Sequence, residues 1–354
     1  MRYPVTLGPF YPNWPGTLHL ALEVEDGIVV AASAATLLPP RAEDWAGLPL
    51  DKARERVERL CAAMSAAYAL AFAQSVETLA GWEVPPRARY GRVLLAELER
   101  AGSHLRHAGN ILRLAGLLRE AEELLELREA VLQVFRRLTG ARFFPGLIVP
   151  GGLAQDLAEM DAIPELVRSI KGPLYRLAHR VVSSRLAVAP LIGAGLLTKE
   201  QAEERGVGGP VARGSESERD LRRDQPYAAY AELDPQVVTQ GGGDVFARWM
   251  VLVLEVFESL RLLETAWGNF PAGPVHAAGG TLPAGEAQSR VESPAGPLVV
   301  RVRVNEQSDL EGLWCTPPTP LHRVVLPQTL PGQRLDLVAV IVASWSLCPA
   351  CLQR

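Results

Sequence analysis

From Thr17 to Ala32 (TLHLALEVEDGIVVAA), apolar residues alternate with polar ones on both sides of Glu25-Asp26-Gly27. That two-residue period predicts a half-buried β-hairpin, an N-terminal sheet element folded at a tight turn. Residues 51–80 carry alanine, leucine and spaced charges without glycine or proline, which predicts one long helix closed by Gly81. Cys61 and Met64 then share a face of it. Pro85-Pro86 opens a second helix over residues 88–118, and a third over 120–139 meets its stop signal at Gly140. The glycine- and proline-rich stretch 143–157 reads as a structured loop, and a fourth helix is expected over 163–188. Residues 205–234 are polar and follow neither period, so they read as an irregular surface or crevice-lining segment. Residues 244–267 return to helical spacing, with Arg248, Glu255, Glu258, Arg261 and Glu264 assigned to the non-core face. The runs PLVVRVRV and LDLVAVIVASW read as strands of a small closing sheet. The expected class is therefore α+β: a central long-helix bundle with an N-terminal β-hairpin or sheet element and a small C-terminal sheet. The expected divisions are 1–50, 51–275 (with an irregular segment at 205–243) and 276–354.

A chain of 354 residues can bury a large core without metal or disulfide staples. Its 36 basic and 40 acidic residues leave a formal charge of −4, so there is no basic surplus for a phosphate backbone and nucleic acid is excluded as the main partner. Prolines interrupt the N-terminus where a signal peptide needs an apolar run, which points to the cytoplasm. The longest charge-free apolar stretch, Leu337 to Leu352, is shorter than the ~18–20 residues needed to span a bilayer. Membrane association is thus expected through partners, without a transmembrane segment in this chain.

Four cysteines are too few for a disulfide scaffold. Cys348-Pro349-Ala350-Cys351 is the sharpest local feature, because two thiolates at that spacing grip one soft metal or form a redox disulfide. An unliganded terminal pair is the plain alternative, and Cys61 by itself reads as a buried core thiol. His104 and His107, with Glu97 and Glu99 upstream, weakly suggest a carboxylate–histidine metal site; hydrogen-bonded helix histidines are the simpler reading. Gly241-Gly242-Gly243 lacks the spacing of a dinucleotide fingerprint, and no phosphate loop is present.

Taken in order, the blocks GPFYPNWPGTLHLALEVEDGIVV, ERLCAAMSAAYALAFAQSVE, VPPRARYGRVLLAELERAGSHLRHAG, GARFFPGLIVPGGLAQDL, GPVARGSESERDLRRDQPYAAY, GGGDVFARWMVLVLEVFESLRLLE and VIVASWSLCPACLQR cover nearly the whole chain. They resemble the large subunit of membrane-bound, energy-converting NiFe hydrogenases and its relative, the 49 kDa subunit of complex I (NADH-quinone oxidoreductase). In the hydrogenases, Cys-x-x-Cys-x-x-x-His and Asp-Pro-Cys-x-x-Cys motifs supply four thiolates to nickel and iron. Carried over, the first motif falls on Cys61, Met64 and Tyr68. The second falls on Cys348 and Cys351, preceded by Ser346-Leu347. The resemblance thus implies Cys61, Cys348 and Cys351 as metal ligands, three of the four thiolates. A neutral thioether at Met64 does not bridge two metals as a thiolate does.

The complex I quinone donors, a histidine and a tyrosine, fall on Pro15 and Ala62, which places the chain nearer the hydrogenase branch. Glu43 aligns with the glutamate of a proton-carrying family loop. The family also implies an iron–sulfur small subunit as partner, holding the cluster that this chain lacks, and antiporter-like membrane subunits. Together these place the protein on the inner face of the cytoplasmic membrane. No C-terminal tail for trimming after metal insertion is expected beyond Arg354. Three readings stand open at this stage: a nickel–iron centre handling hydrogen, a changed redox centre with another acceptor, and a metal-free coupling subunit. A disulfide switch at Cys348 and Cys351 is a fourth. Cys315 matches no ligand position.

Overall fold

The computed structural model describes residues 1–9, 14–36, 44–277 and 279–353. Three antiparallel strands open the chain: β1 (Arg2–Leu7), β2 (Leu18–Glu25) and β3 (Ile28–Thr36), in the order β1-β2-β3. The expected hairpin is β2–β3. Asp26 and Gly27 form its two-residue turn with φ of 51° and 80°, the left-handed pair that suits the strand twist. Along β2 the alternation is realised physically, with Leu18, Leu20, Leu22 and Val24 all pointing into the core.

The helical body follows. The helix expected over 51–80 is broken in two, α1 (Leu50–Glu58) and α2 (Ser65–Ala80), with Cys61 in the connection and Met64 at the N-cap of α2. Nothing in the local composition forbids helix here. The break is held by a distant group, since Glu99 accepts from the Ala66 and Ala67 amides at 2.6 and 3.0 Å and so satisfies the first turn of α2. Gly81 (φ 67°) ends α2, α3 is Pro86–Leu114, and α4 (Leu118–Thr139) stops at Gly140 (φ 79°). The 143–157 loop contains a minimal hairpin, β4 (Ile148–Val149) and β5 (Gly152–Leu153). The fourth expected helix is α5 (Ala162–Ser183) with a short continuation α6 (Arg185–Val188), separated at Ser184, whose side chain caps the second piece.

The irregular segment is more ordered than its composition suggests. It is preceded by α7 (Lys199–Glu204) and includes α8 (Gly209–Arg213), α9 (Leu221–Asp224) and α10 (Tyr230–Leu233), and Arg213, Ser217, Asp220, Arg222 and Tyr230 are buried. Next comes α11 (Val245–Gly268), capped by Asp244 through the Ala247 amide at 2.8 Å. The assignment of its charged residues to a non-core face fails for three of them: Arg248, Glu255 and Glu258 are buried. This helix packs against both α3 and α5, so its polar stripe meets protein, where ion pairs hold Glu255 and Glu258 and Arg248 donates to the Gly195 and Gly243 carbonyls and the Ser344 hydroxyl.

The closing sheet is β6 (Gly285–Ser293), β7 (Gly296–Val304) and β8 (Leu310–Thr316), antiparallel and in that order, with α2 laid across β6 and β7. After α12 (Thr319–Val325), the run read as a strand is instead a helix, α13 (Val338–Ser344). A short apolar run buried on nearly all sides has no solvent face to impose a period, and its β-branched content misdirects the reading.

Candidate metal centre

Two distant parts of the chain meet at one point. The α1–α2 connection delivers Cys61, and the turn after α13, with Ser346 at φ 51°, delivers Cys348 and Cys351. The Cys351 and Leu352 amides both return to the Cys348 carbonyl at 3.1 Å, and the Cys348 amide donates to Thr319 Oγ1 at 3.3 Å. From the N-terminal loop, Gly16 is pressed onto Pro349, where a Cβ would come within 2.8 Å of the proline ring. At φ 55° this position favours glycine doubly.

The Sγ atoms of Cys61, Cys348 and Cys351 lie within 4.8 Å of one another, all buried, and Cys61 Sγ is 3.0 Å from Cys348 Sγ. Among the described residues this is the one group of three or more Cys, His, Asp or Glu positioned to share an ion. Tyr68, fully buried on α2, brings its hydroxyl to 3.4 Å from Cys351 Sγ. Met64 is buried, one turn before Tyr68, whose amide donates to the Met64 carbonyl at 3.0 Å. Hydrogen bonds from Cys351 and Cys61 bring the Cys348 thiol down to about 3. The same contacts push the Cys61 and Cys351 thiols up. Burial does the same to the Tyr68 hydroxyl.

The donor set decides what fits. Thiolates about 2.3 Å from a tetrahedral soft ion stand about 3.8 Å apart; the trio lies within 4.8 Å, and its 3.0 Å Cys61–Cys348 pair must open by about 0.8 Å to take one. A nickel–iron pair bridged by two thiolates needs a fourth sulfur anion, and the thioether at Met64 does not supply one. These residues therefore fit one thiophilic ion and do not fit the dinuclear centre.

The other candidates separate from this point. Glu43 lies outside the described residues. His104 is fully buried and bonded to Glu255 at 2.7 Å, and His107 Nε2 meets Arg106 at 2.9 Å, so both are hydrogen-bonded helix histidines. Cys315 sits on β8, close enough to Tyr68 for charge on one to disfavour charge on the other.

Sequence reasoning saw Glu99 only as a weak ligand candidate and missed its role. It lies in the wall of a cavity of about 180 Å³ beside residues 62–65, together with Arg106, Arg128 and Arg142. Burial lifts its carboxyl to about 7, against the hydrogen bonds from the Ala66 and Ala67 amides and the Ser65 hydroxyl. Only the fold discloses this, because Glu99 and its partners are more than 30 residues apart.

A long-helix bundle with a three-stranded sheet before it and another after it is the fold of a large subunit of a membrane respiratory complex, and the relatives agree. The family described as the 49 kDa subunit of respiratory-chain NADH dehydrogenase matches residues 120–281. A subunit of NADH-quinone oxidoreductase from Sinorhizobium medicae is 30% identical over 330 residues, covering 83% of this chain and 81% of that protein. The carbon monoxide-induced hydrogenase of Rhodospirillum rubrum is 27% identical and covers 99% of both chains. A chain from the structure of the membrane-bound sulfane sulfur reductase, an archaeal respiratory membrane complex, superposes with a TM-score of 0.93 at 26% identity, covering 99% of this chain and 98% of that one. The chain belongs to the family of the 49 kDa subunit of NADH-quinone oxidoreductase and is related to hydrogenase large subunits. Among the described residues no helix is long and apolar enough to cross a membrane.

Proposed function

We propose that this chain is the redox-active large subunit of a membrane-associated oxidoreductase complex, in which Cys61, Cys348 and Cys351 hold one thiophilic ion, nickel or iron. The observation that carries this reading is the convergence of three buried sulfurs from opposite ends of the chain. When bound, such an ion supplies a site for electron and proton exchange. The chain's own residues keep it from water, and Tyr68 offers a hydrogen bond to Cys351. Glu43 is assigned to proton transfer on the resemblance alone. The expected partners are an iron–sulfur small subunit, which exchanges electrons with the centre, and antiporter-like membrane subunits that hold the assembly on the inner face of the cytoplasmic membrane.

A second reading uses the same trio without metal. The 3.0 Å contact sets the Cys61 and Cys348 sulfurs side by side, the hydrogen bonds that lower the Cys348 thiol favour the thiolate that opens a sulfur–sulfur bond, and the structural relative is a chain of a sulfane sulfur reductase complex.

The test is elemental analysis of the complex from its native host, paired with Cys348→Ser. One soft metal ion per chain, lost together with electron transfer in the variant, supports the metal reading. A metal-free complex whose activity the variant abolishes favours sulfur chemistry. Unchanged activity in Cys348→Ser refutes both and leaves a coupling subunit that does no chemistry.

A further inference from the structure

Away from the sulfur trio, the interior holds a second concentration of charge. His104 Nε2 donates to Glu255 at 2.7 Å, and the other oxygen of Glu255 accepts from Arg213 Nε at 2.5 Å. Arg213 Nη1 reaches Glu292 at 2.8 Å and Asp220 at 3.5 Å. Asp220 is gripped through both oxygens by Arg222, at 3.0 and 2.7 Å. Arg222 continues to Glu97 at 3.2 Å, which also accepts from Tyr230, Ser259 and, at 3.3 Å, Arg100. Arg100 in turn donates to the carbonyls of Glu292 and Ser293. Every charged member is buried, none more than 3% exposed.

The charges do not balance. Four carboxylates (Glu97, Asp220, Glu255, Glu292) face three guanidinium groups (Arg100, Arg213, Arg222), so with a neutral His104 the cluster keeps one uncompensated negative charge in the protein interior. Burying a lone charge costs more than binding a proton to it. Two seats are available. On His104, a second ring proton would sit at the unpartnered Nδ1; burial opposes the charged ring, Glu255 favours it, and Arg100 and Arg213 oppose it. On Glu292, Oε1 is engaged by Arg213, but Oε2 meets only the Leu221 amide at 3.3 Å, the weakest hydrogen bonding of any carboxylate in the cluster. Asp220 also faces Glu292 and disfavours its ionised form, against Arg213 and Arg100, and the Tyr227 hydroxyl oxygen accepts from the Glu292 amide. Burial acts in the same direction at both residues, favouring the neutral acid and the neutral imidazole.

We propose that this cluster is an internal proton-binding site in which Glu292 carries the bound proton while Glu97, Asp220 and Glu255 stay ionised and His104 stays neutral. The site is independent of whether the cysteine trio holds an ion. It joins α3, α11 and β6 to residues 213–230, so a movement that changes the pairing of Arg213 changes the number of protons bound.

Infrared spectroscopy of the purified complex at about pH 9, where Glu99 is ionised, tests this. The parent protein with carbon-13-labelled glutamate is expected to show a protonated-carboxyl stretch that shifts with the label and in heavy water, and Glu292→Gln is expected to lose it. Glu292→Gln should also keep the parent's unfolding midpoint, because glutamine matches the neutral acid in shape, whereas Glu255→Gln should lower it. Absence of the band in the parent, its persistence in Glu292→Gln, or a Glu292→Gln chain that does not fold would each overturn the assignment.

Discussion

Replacing Glu99 by glutamine probes the break between α1 and α2, and through it the placement of Cys61. In the folded chain the carboxyl is lifted from its ordinary 4.5 to about 7, chiefly by burial. At about 1.4 kcal/mol per pH unit, that difference corresponds to at most about 3.4 kcal/mol. Glu99 is half-buried in a cavity wall, and water there screens the charge, so about 1–2 kcal/mol is the expected size. A carboxyl whose folded value is raised contributes stability that is complete below its unfolded value and is lost as pH rises through the folded one. The parent should therefore lose this contribution between about pH 4.5 and 7. Glutamine still offers an oxygen to the Ala66 and Ala67 amides but has no proton to lose. Urea unfolding of both proteins across that range should give equal stabilities at the acid end, with Glu99→Gln ahead by about 1–2 kcal/mol near pH 8. Taking the difference between the two proteins cancels other titrating groups such as Glu58. A pH-independent difference, or a glutamine variant that is less stable near pH 8, would refute the reasoning. The latter would mean that three hydrogen bonds to the ionised carboxylate outweigh burial.

The remaining expectations concern single contacts. Tyr68→Phe removes the hydroxyl from Cys351 Sγ and should cost only about 1 kcal/mol of stability, while shifting the sulfur-to-metal absorption of a nickel- or cobalt-loaded protein; an unchanged spectrum would remove Tyr68 from the centre. Arg92→Leu strands the buried Glu77 and frees the Val149 and Gly152 carbonyls, so it should cost about 3–5 kcal/mol, and Arg92→Leu with Glu77→Leu should recover much of that; equal losses would contradict a buried ion pair. Gly152→Ala puts a Cβ 2.2 Å from the Val275 carbonyl oxygen at φ 150°, and thermal unfolding should register a loss of at least about 2 kcal/mol.

Local signals carried a large part of the architecture. The β2–β3 hairpin, the glycine stops at 81 and 140, the long helices α3, α4 and α11 and the β7 strand are all legible, because each follows from a period or a turn residue within a few positions. The order of motifs also indicated which cysteines to watch. The fold alone decided three matters. It broke residues 51–80 at Cys61, since the group that caps the new helix end comes from α3. It made 338–344 a helix, since a segment buried on nearly every side shows no period. It turned Glu255 of α11 inward, where a local pattern reads it as solvated while its partners His104 and Arg213 lie on α3 and α8. The sequence by itself determines what each segment can form. Which charges are buried together, and which sulfurs meet, depends on contacts between residues as much as 287 positions apart, and only tertiary packing sets those.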